Sequence, residues 1–163
     1  MHVKLKVARP RDLHALKEWV GARPMTLAMG LTCEDIEVGR AVFRFEPPMD
    51  WRNPNGSLPG ALVLAAADYS AGMAAASVTS VDDYVSTVDL GLHFLRPAFK
   101  TPVRSRTDVL RVGARLVFLE TQVTDAEEEV FATGVGSYAV ARGDGQQYPI
   151  GADAEQELAA HDG

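Results

Sequence analysis

The chain has 163 residues, of which 47% are hydrophobic, enough for one domain with a substantial apolar core. Its formal net charge of -6 argues against a nucleic-acid-binding protein, because such proteins present clustered positive charge. The single cysteine, Cys33, excludes an internal disulfide and is consistent with a reducing cytoplasm.

No stretch of the sequence predicts a leader or a membrane span. The first ten residues carry basic side chains without an apolar core, unlike a signal peptide. Residues 58–81 are nearly long enough to cross a bilayer, but they contain Pro, Gly, Ser and Asp, and strand-like sequence follows them. We therefore expect a soluble, cytoplasmic protein that binds neither membrane nor nucleic acid.

The first predicted elements are a helix and two strands. Apolar residues at helical spacing predict an amphipathic helix over residues 10–20, within an N-terminal extension of residues 1–26. Residues 27–37 are interpreted as a weak strand or turn. Alternation predicts a strand over residues 40–46, with Gly39 in the hairpin turn before it. A loop of Pro, Asn and Gly residues then covers residues 49–57.

The centre of the chain is a long apolar helix predicted over residues 60–77. Asp68 is the only charged residue between positions 56 and 81, and apolar residues occupy every face of the helix, which predicts burial on all sides. Burying an unpaired carboxylate there would cost roughly several kcal/mol, so Asp68 must be hydrogen-bonded, protonated or used in the function of the protein. Asp68 is therefore either a solvated or capped residue at a gap in the packing, or a catalytic carboxylate facing a cleft.

Strand patterns dominate the rest of the chain. Gly113 predicts a tight turn, and an acidic turn is expected over residues 125–129. The four predicted strands cover residues 87–95, 102–112, 115–124 and 130–141. Residues 143–163 form a polar, acidic tail. The order predicts an α+β fold over residues 27–142, with one curved antiparallel sheet wrapped around the long helix and a second copy covering its exposed edge.

Two sequence motifs, in this order and spacing, resemble those of hotdog-fold acyl-CoA thioesterases of the phenylacetic-acid-degradation (PaaI-like) branch. The first is the loop and helix start NPNGSLPGA at residues 53–61, followed by Asp68 in the helix. The second is the strand TVDLGLHFLRP at residues 87–97. An arginine-containing hairpin, RVGARL at residues 111–116, adds to the match, which covers roughly residues 27–141. The resemblance implies a dimer or dimer of dimers that hydrolyses acyl-CoA or aryl-acyl-CoA thioesters.

The resemblance also implies roles for individual residues. Asp68 would attack the thioester or activate water, facing the loop of the other subunit. The Gly60 N–H, at the helix start, would polarise the thioester carbonyl. Thr87 matches the position that holds the water, and Asn53 would position the loop or touch the carbonyl. Their alternatives are ordinary ones: Thr87 as a strand residue and Asn53 as a turn residue.

Coenzyme A carries phosphates, so basic residues are expected at the rim of the site. The substrate-binding candidates are Arg96, Arg111, Arg115, Ala61 and Tyr69. The scattered histidines and the lone cysteine predict no metal site, and no phosphate loop is present, so we expect no cofactor beyond the coenzyme A of the substrate.

Two positions depart from the family motif. Pro59 stands where the family has His, and Ala61 stands where it has a second Gly. Pro59 therefore favours an alternative, a hotdog dimer that binds an acyl-CoA without turning it over. A hotdog dehydratase or hydratase is disfavoured, because those relatives need a His paired with a carboxylate. The retained Asp68, Asn53, Gly60 and Thr87 favour the thioesterase.

Overall fold

The computed structural model describes residues 9–141 of the chain. The predicted tail of residues 143–163 lies outside this range. In chain order the elements are α1 (Leu13–Gly21), α2 (Pro24–Met29), β1 (Leu31–Glu37), β2 (Arg40–Phe45), a short 3-10 turn (Met49–Trp51), α3 (Gly60–Ser77), β3 (Tyr84–Phe94), β4 (Val103–Val112), β5 (Leu116–Thr124) and β6 (Val130–Ala141).

The N-terminal region differs from its prediction in one element. Helix α1 forms as expected, and the Asp12 side chain caps it by accepting hydrogen bonds from the N–H groups of His14 and Ala15. The prediction of one strand or turn over residues 27–37 was wrong in its first part. Helix α2 occupies that part, because Pro24 starts a helical turn and Gly30, at φ +70°, ends it.

The six strands form one antiparallel sheet in the order β1-β2-β4-β5-β6-β3. The hairpin turn at Gly39 has φ +86°, which favours glycine, as predicted. Strand β2 buries alternate residues against the core, and these are Ala41, Phe43 and Phe45. The two edge strands of the sheet are β1, which α1 and α2 contact, and β3.

Helix α3 packs on the inner face of this sheet and contacts all six strands. Its bounds agree with the prediction, but it is not buried on all sides. Ala61 and Leu64 are exposed, Leu64 by 38%, and Asp68 is partly exposed along the same stripe. The curved sheet of a single chain therefore leaves one stripe of an apolar helix uncovered.

Strand β3 begins three residues earlier than predicted and is largely exposed. A bulge between Thr87 and Asp89 interrupts the alternation that was expected to place Val88 with Leu90 and Phe94. Val88 is 59% exposed as a result. Within residues 9–141, β3 pairs only with β6, so its other edge offers unpaired backbone groups.

Candidate functional site

The start of α3 presents free backbone donors. Pro59 is the N-cap, has no N–H itself, and supplies no side-chain cap. The N–H groups of Leu62 and Val63 bond back to the Pro59 carbonyl, whereas those of Gly60 and Ala61 have no acceptor within residues 9–141. Two N–H groups at the positive end of the helix dipole are therefore available to a carbonyl oxygen or an anion.

A cavity of about 430 Å³ opens beside this helix start. Its lining is mostly apolar and consists of Leu58, Gly60, Phe94, Leu95, Arg96, Pro97, Ala98 and Phe131. The Phe94 ring lies so close to Gly60 that a Cβ added at Gly60 would be 3.2 Å from Phe94 Cζ. Glycine at position 60 thus gives room for both the ring and the approach of a ligand to the N–H.

The Asp68 carboxylate lies deeper along the same helix and has two hydroxyl donors. Thr87 Oγ1 donates to Asp68 Oδ1 at 2.9 Å, and the Tyr138 hydroxyl donates to the same oxygen at 2.5 Å. Thr87 and Tyr138 face each other across the β3–β6 ladder, which brings both hydroxyls to one point of α3. Asp68 is thus a hydrogen-bonded, partly exposed carboxylate, which is compatible with both the capped and the catalytic interpretation.

Tyr138 is the functional candidate that the sequence reasoning missed. It is 2% exposed, and its burial, followed by its hydrogen bond to Asp68, raises the pKa of the phenol well above its usual range. The phenol therefore stays protonated as a donor. The only signal in the sequence is a lone tyrosine among small residues of β6, and the strand register that aims it at Asp68 cannot be read from one sequence.

Asn53 lies in an ordered loop before the helix. Its side chain donates to Ser57 Oγ at 3.0 Å, and its backbone N–H bonds to the Ser57 carbonyl. Asn55 accepts hydrogen bonds from the Ser57 N–H and hydroxyl. Arg52 ties this loop to the next one through the Phe99 carbonyl and the Thr101 hydroxyl. Asn53 is thus part of the hydrogen bonding that orders the loop before α3, and a role in catalysis stays a prediction.

The predicted basic residues do not gather at one place in a single chain. Arg96 lines the cavity, but it forms ion pairs with Asp125 at 2.8 Å and Glu129 at 3.2 Å. Arg111 and Arg115 flank the β4–β5 turn, at the sheet end near the end of α3 rather than its start. Both are exposed and form no ion pair with another residue of the 9–141 range.

The two remaining substrate-binding candidates lie on α3. Ala61 is exposed beside the free N–H groups of the helix start. Tyr69 is half-buried, with its ring centroid 6.1 Å from that of Phe43, and burial followed by the nearby Asp68 charge raises the pKa of its phenol. Tyr69 thus packs partly into the core.

No helix within residues 9–141 is long and apolar enough to cross a membrane. In the same range, no three or more His, Cys, Asp or Glu side chains lie close enough together to hold a metal ion.

Gly60 and Asp68 are eight residues apart on one helix. At a rise of 1.5 Å per residue, they are separated by about 12 Å along the helix axis. A carbonyl oxygen on the Gly60 N–H and a carbonyl carbon attacked from Asp68 would each need contacts of about 3 Å. This separation disfavours action of the Gly60 and Asp68 of one chain on the same carbonyl group.

Comparison with known proteins agrees with this architecture. Residues 55–132 match the family model described as "Thioesterase superfamily". A Saccharolobus solfataricus protein named "Putative esterase" is 32% identical over 108 residues, covering 66% of this chain and 76% of its own. A Haemophilus influenzae thioesterase structure has a TM-score of 0.73 at 15% identity, covering 82% of this chain and 93% of its own.

The PaaI protein of the Escherichia coli phenylacetic acid degradation operon has a TM-score of 0.70 at 19% identity, covering 81% of this chain and 92% of its own. These structural similarities establish the fold, and together with the sequence matches they confirm the predicted resemblance. The chain belongs to the thioesterase superfamily and has its α+β hotdog fold.

Proposed function

We propose that the protein hydrolyses acyl-CoA or aryl-acyl-CoA thioesters to the free acid and coenzyme A. The observation that carries this proposal is the Asp68 carboxylate, the only charge of a largely buried helix, held by hydroxyls from two strands. A carboxylate with fixed donors and partial exposure suits a nucleophile or general base. Family membership supports hydrolysis of a thioester or ester in general.

The catalytic site, in this proposal, is built between two copies of the chain. Because Gly60 and Asp68 of one helix are about 12 Å apart, the Gly60 N–H of one subunit works with Asp68 of its partner. The unpaired edge of β3 and the uncovered stripe of α3 are adjacent surfaces that a second copy would cover. Antiparallel pairing of two β3 strands would bring the Phe94 end of one near the Tyr84 end of the other.

The reaction then proceeds through a tetrahedral intermediate. Asp68 either takes a proton from water, whose oxygen adds to the carbonyl carbon, or attacks that carbon itself to form an anhydride that water hydrolyses. The negative charge that develops on the carbonyl oxygen is stabilised by the Gly60 N–H and the helix dipole. Collapse breaks the C–S bond and releases coenzyme A as a thiolate, which takes up a proton.

The remaining candidates hold the substrate. Thr87 supports the carboxylate or water, and Asn53 shapes the loop before Gly60. Among the basic residues, Arg111 and Arg115 suit coenzyme A phosphates better than Arg96, because Arg96 is already neutralised by two carboxylates. Ala61 and Tyr69 would contact the acyl or pantetheine part.

Pro59 supports a second candidate, a dimer that binds acyl-CoA without hydrolysing it. At the N-cap, Pro59 can stiffen the helix start but offers no proton or donor of the kind that the family His would provide. The structure of the helix start, with free N–H groups and an adjacent apolar cavity, is compatible with binding alone.

Thiol release from short, medium, long and aryl acyl-CoAs, together with coenzyme A binding, separates the two candidates. We expect turnover of at least one acyl-CoA by the wild-type protein and its loss in Asp68→Asn, with the circular dichroism spectrum unchanged. Saturable coenzyme A binding without turnover of any thioester would instead support the binding protein.

A further inference from the structure

The hydrogen bonds to Asp68 are unequal between its two carboxylate oxygens. Oδ1 accepts from both Thr87 and Tyr138, whereas Oδ2 accepts no hydrogen bond from any residue in the described range 9–141. The Tyr138 hydroxyl is also 3.1 Å from the backbone carbonyl oxygen of Asp68. The phenol thus lies between the main chain and side chain of one residue and fixes the rotation of the carboxylate.

We propose that Tyr138 is a positioning residue that holds Oδ1 of Asp68 and thereby leaves Oδ2 as the oxygen that attacks the thioester or takes the proton from water. This inference rests on the proposed thioesterase function. An ionised carboxylate with both donors on one oxygen keeps the lone pairs of the other free and in a fixed direction. The 2.5 Å length of the Tyr138 bond is typical of a charge-assisted hydrogen bond between a hydroxyl and a carboxylate.

The fold holds the Tyr138 ring where it can do this. The ring lies against α3 at Gly72, one turn after Asp68, where a Cβ would be 3.6 Å from Tyr138 Cε1. Its strand partner Thr87 donates to the same carboxylate oxygen from β3. Because the ring is buried and the phenol stays protonated, the hydroxyl acts as a donor and not as a base.

The first test compares Tyr138→Phe with Thr121→Val in thiol-release assays. Tyr138→Phe keeps the buried ring and removes only the hydroxyl. Thr121→Val removes another fully buried hydroxyl, one that bonds to Thr107. We expect Tyr138→Phe to lower kcat by about 10- to 100-fold with KM within about twofold, as loss of a hydrogen bond to a charged group predicts. We expect Thr121→Val to keep the wild-type kcat.

Equal kcat values for wild type and Tyr138→Phe, or equal losses in both variants, would overturn the proposal. A merely structural role would lower stability in both variants without separating their kcat values.

The second test needs no turnover, so it separates this inference from the proposed function. In the proton NMR spectrum of the wild-type protein we expect one tyrosine hydroxyl resonance that is far downfield and protected from solvent exchange. It should shift in Asp68→Asn, which replaces the charged acceptor by a neutral one. This comparison remains valid if Tyr138→Phe does not fold. A wild-type spectrum without such a resonance, or one unchanged in Asp68→Asn, would refute the hydrogen bond.

Discussion

A buried cluster of hydroxyl groups joins α3 to strands β4 and β5, and substitutions within it give a quantitative prediction for stability. The Ser70 hydroxyl lies 2.8 Å from both Ser105 Oγ and Thr107 Oγ1, and it donates to the Ala67 carbonyl at 2.9 Å. Thr107 bonds in turn to Thr121 at 2.7 Å. The four hydroxyl side chains are fully buried, so a hydroxyl that loses its partner cannot turn to water.

We expect Ser70→Ala to lower the free energy of unfolding by about 1–3 kcal/mol, the cost of leaving a buried hydroxyl without a partner. The hydroxyl left without a partner is that of Ser105, because Ser70 is its one side-chain partner within residues 9–141. Ser105→Ala should cost less than Ser70→Ala, because the Ser70 hydroxyl keeps its contacts with Thr107 and the Ala67 carbonyl. The double variant should cost less than the sum of the two single variants by about 1 kcal/mol, because no unpaired hydroxyl remains at that contact.

Urea unfolding of the four proteins, at one protein concentration in case subunits dissociate, measures this coupling. A double variant whose loss equals the sum of the single losses would show that the Ser70 and Ser105 hydroxyls do not depend on each other, which would contradict the hydrogen bond between them.

Three further predictions concern other parts of the fold. Gly136→Ala should destabilise the protein by about 1–3 kcal/mol in the same assay, because the added Cβ would lie 2.7 Å from the Asp89 carbonyl oxygen. Gly91→Ala is the control and should cost far less, because its Cβ would meet nothing closer than 4.0 Å. Similar losses in the two variants would contradict this. Burial raises the pKa of Cys33 to about 11, so a thiol reagent at pH 8 should label it only after unfolding, and fast labelling of the native protein would contradict its burial. The Arg96 hydrogen bond lowers the pKa of Asp125, and the N–H groups of Glu127 and Glu129 add to this effect against desolvation. The stabilisation by Asp125 should therefore be complete above the usual carboxyl range and decrease as pH falls through the lower folded pKa. Asp125→Asn should destabilise the protein more at pH 7 than in acid, and a loss that does not change with pH would refute the assignment.

Local sequence patterns predicted the elements whose signals are local. The apolar run gave α3 its observed bounds of Gly60–Ser77, and alternation gave β6 its bounds of Val130–Ala141. Helix α2 was missed because six residues are too few to show a helical period, although Pro24 and Gly30 mark its ends. The bulge beside Thr87 was missed because it depends on how β3 pairs with β6.

Only the part of the candidate site that local sequence motifs mark could be predicted. Asp68 and Thr87 were identified from motif resemblance, and the fold brings them into a hydrogen bond. Tyr138 was not identified, because its contact with Asp68 joins residues 70 positions apart and depends on the strand register. The pairing of Arg96 with the acidic turn was likewise hidden, since it requires knowing that β3 ends beside that turn.

If one thioesterase site combines Asp68 of one subunit with Gly60 of another, two inactive variants should restore activity when their subunits are mixed. Asp68→Asn removes the carboxylate, and Gly60→Val blocks approach to the helix N–H, so each homodimer should be inactive. After random reassociation of equal amounts, about half of the dimers are mixed, and each mixed dimer has one intact site of two.

We expect the mixture to regain about a quarter of the wild-type thiol-release rate per subunit, because half of the dimers are mixed and each has one intact site of two. A mixture that stays as inactive as its two components, although mixed dimers are shown to form, would contradict a site shared between subunits.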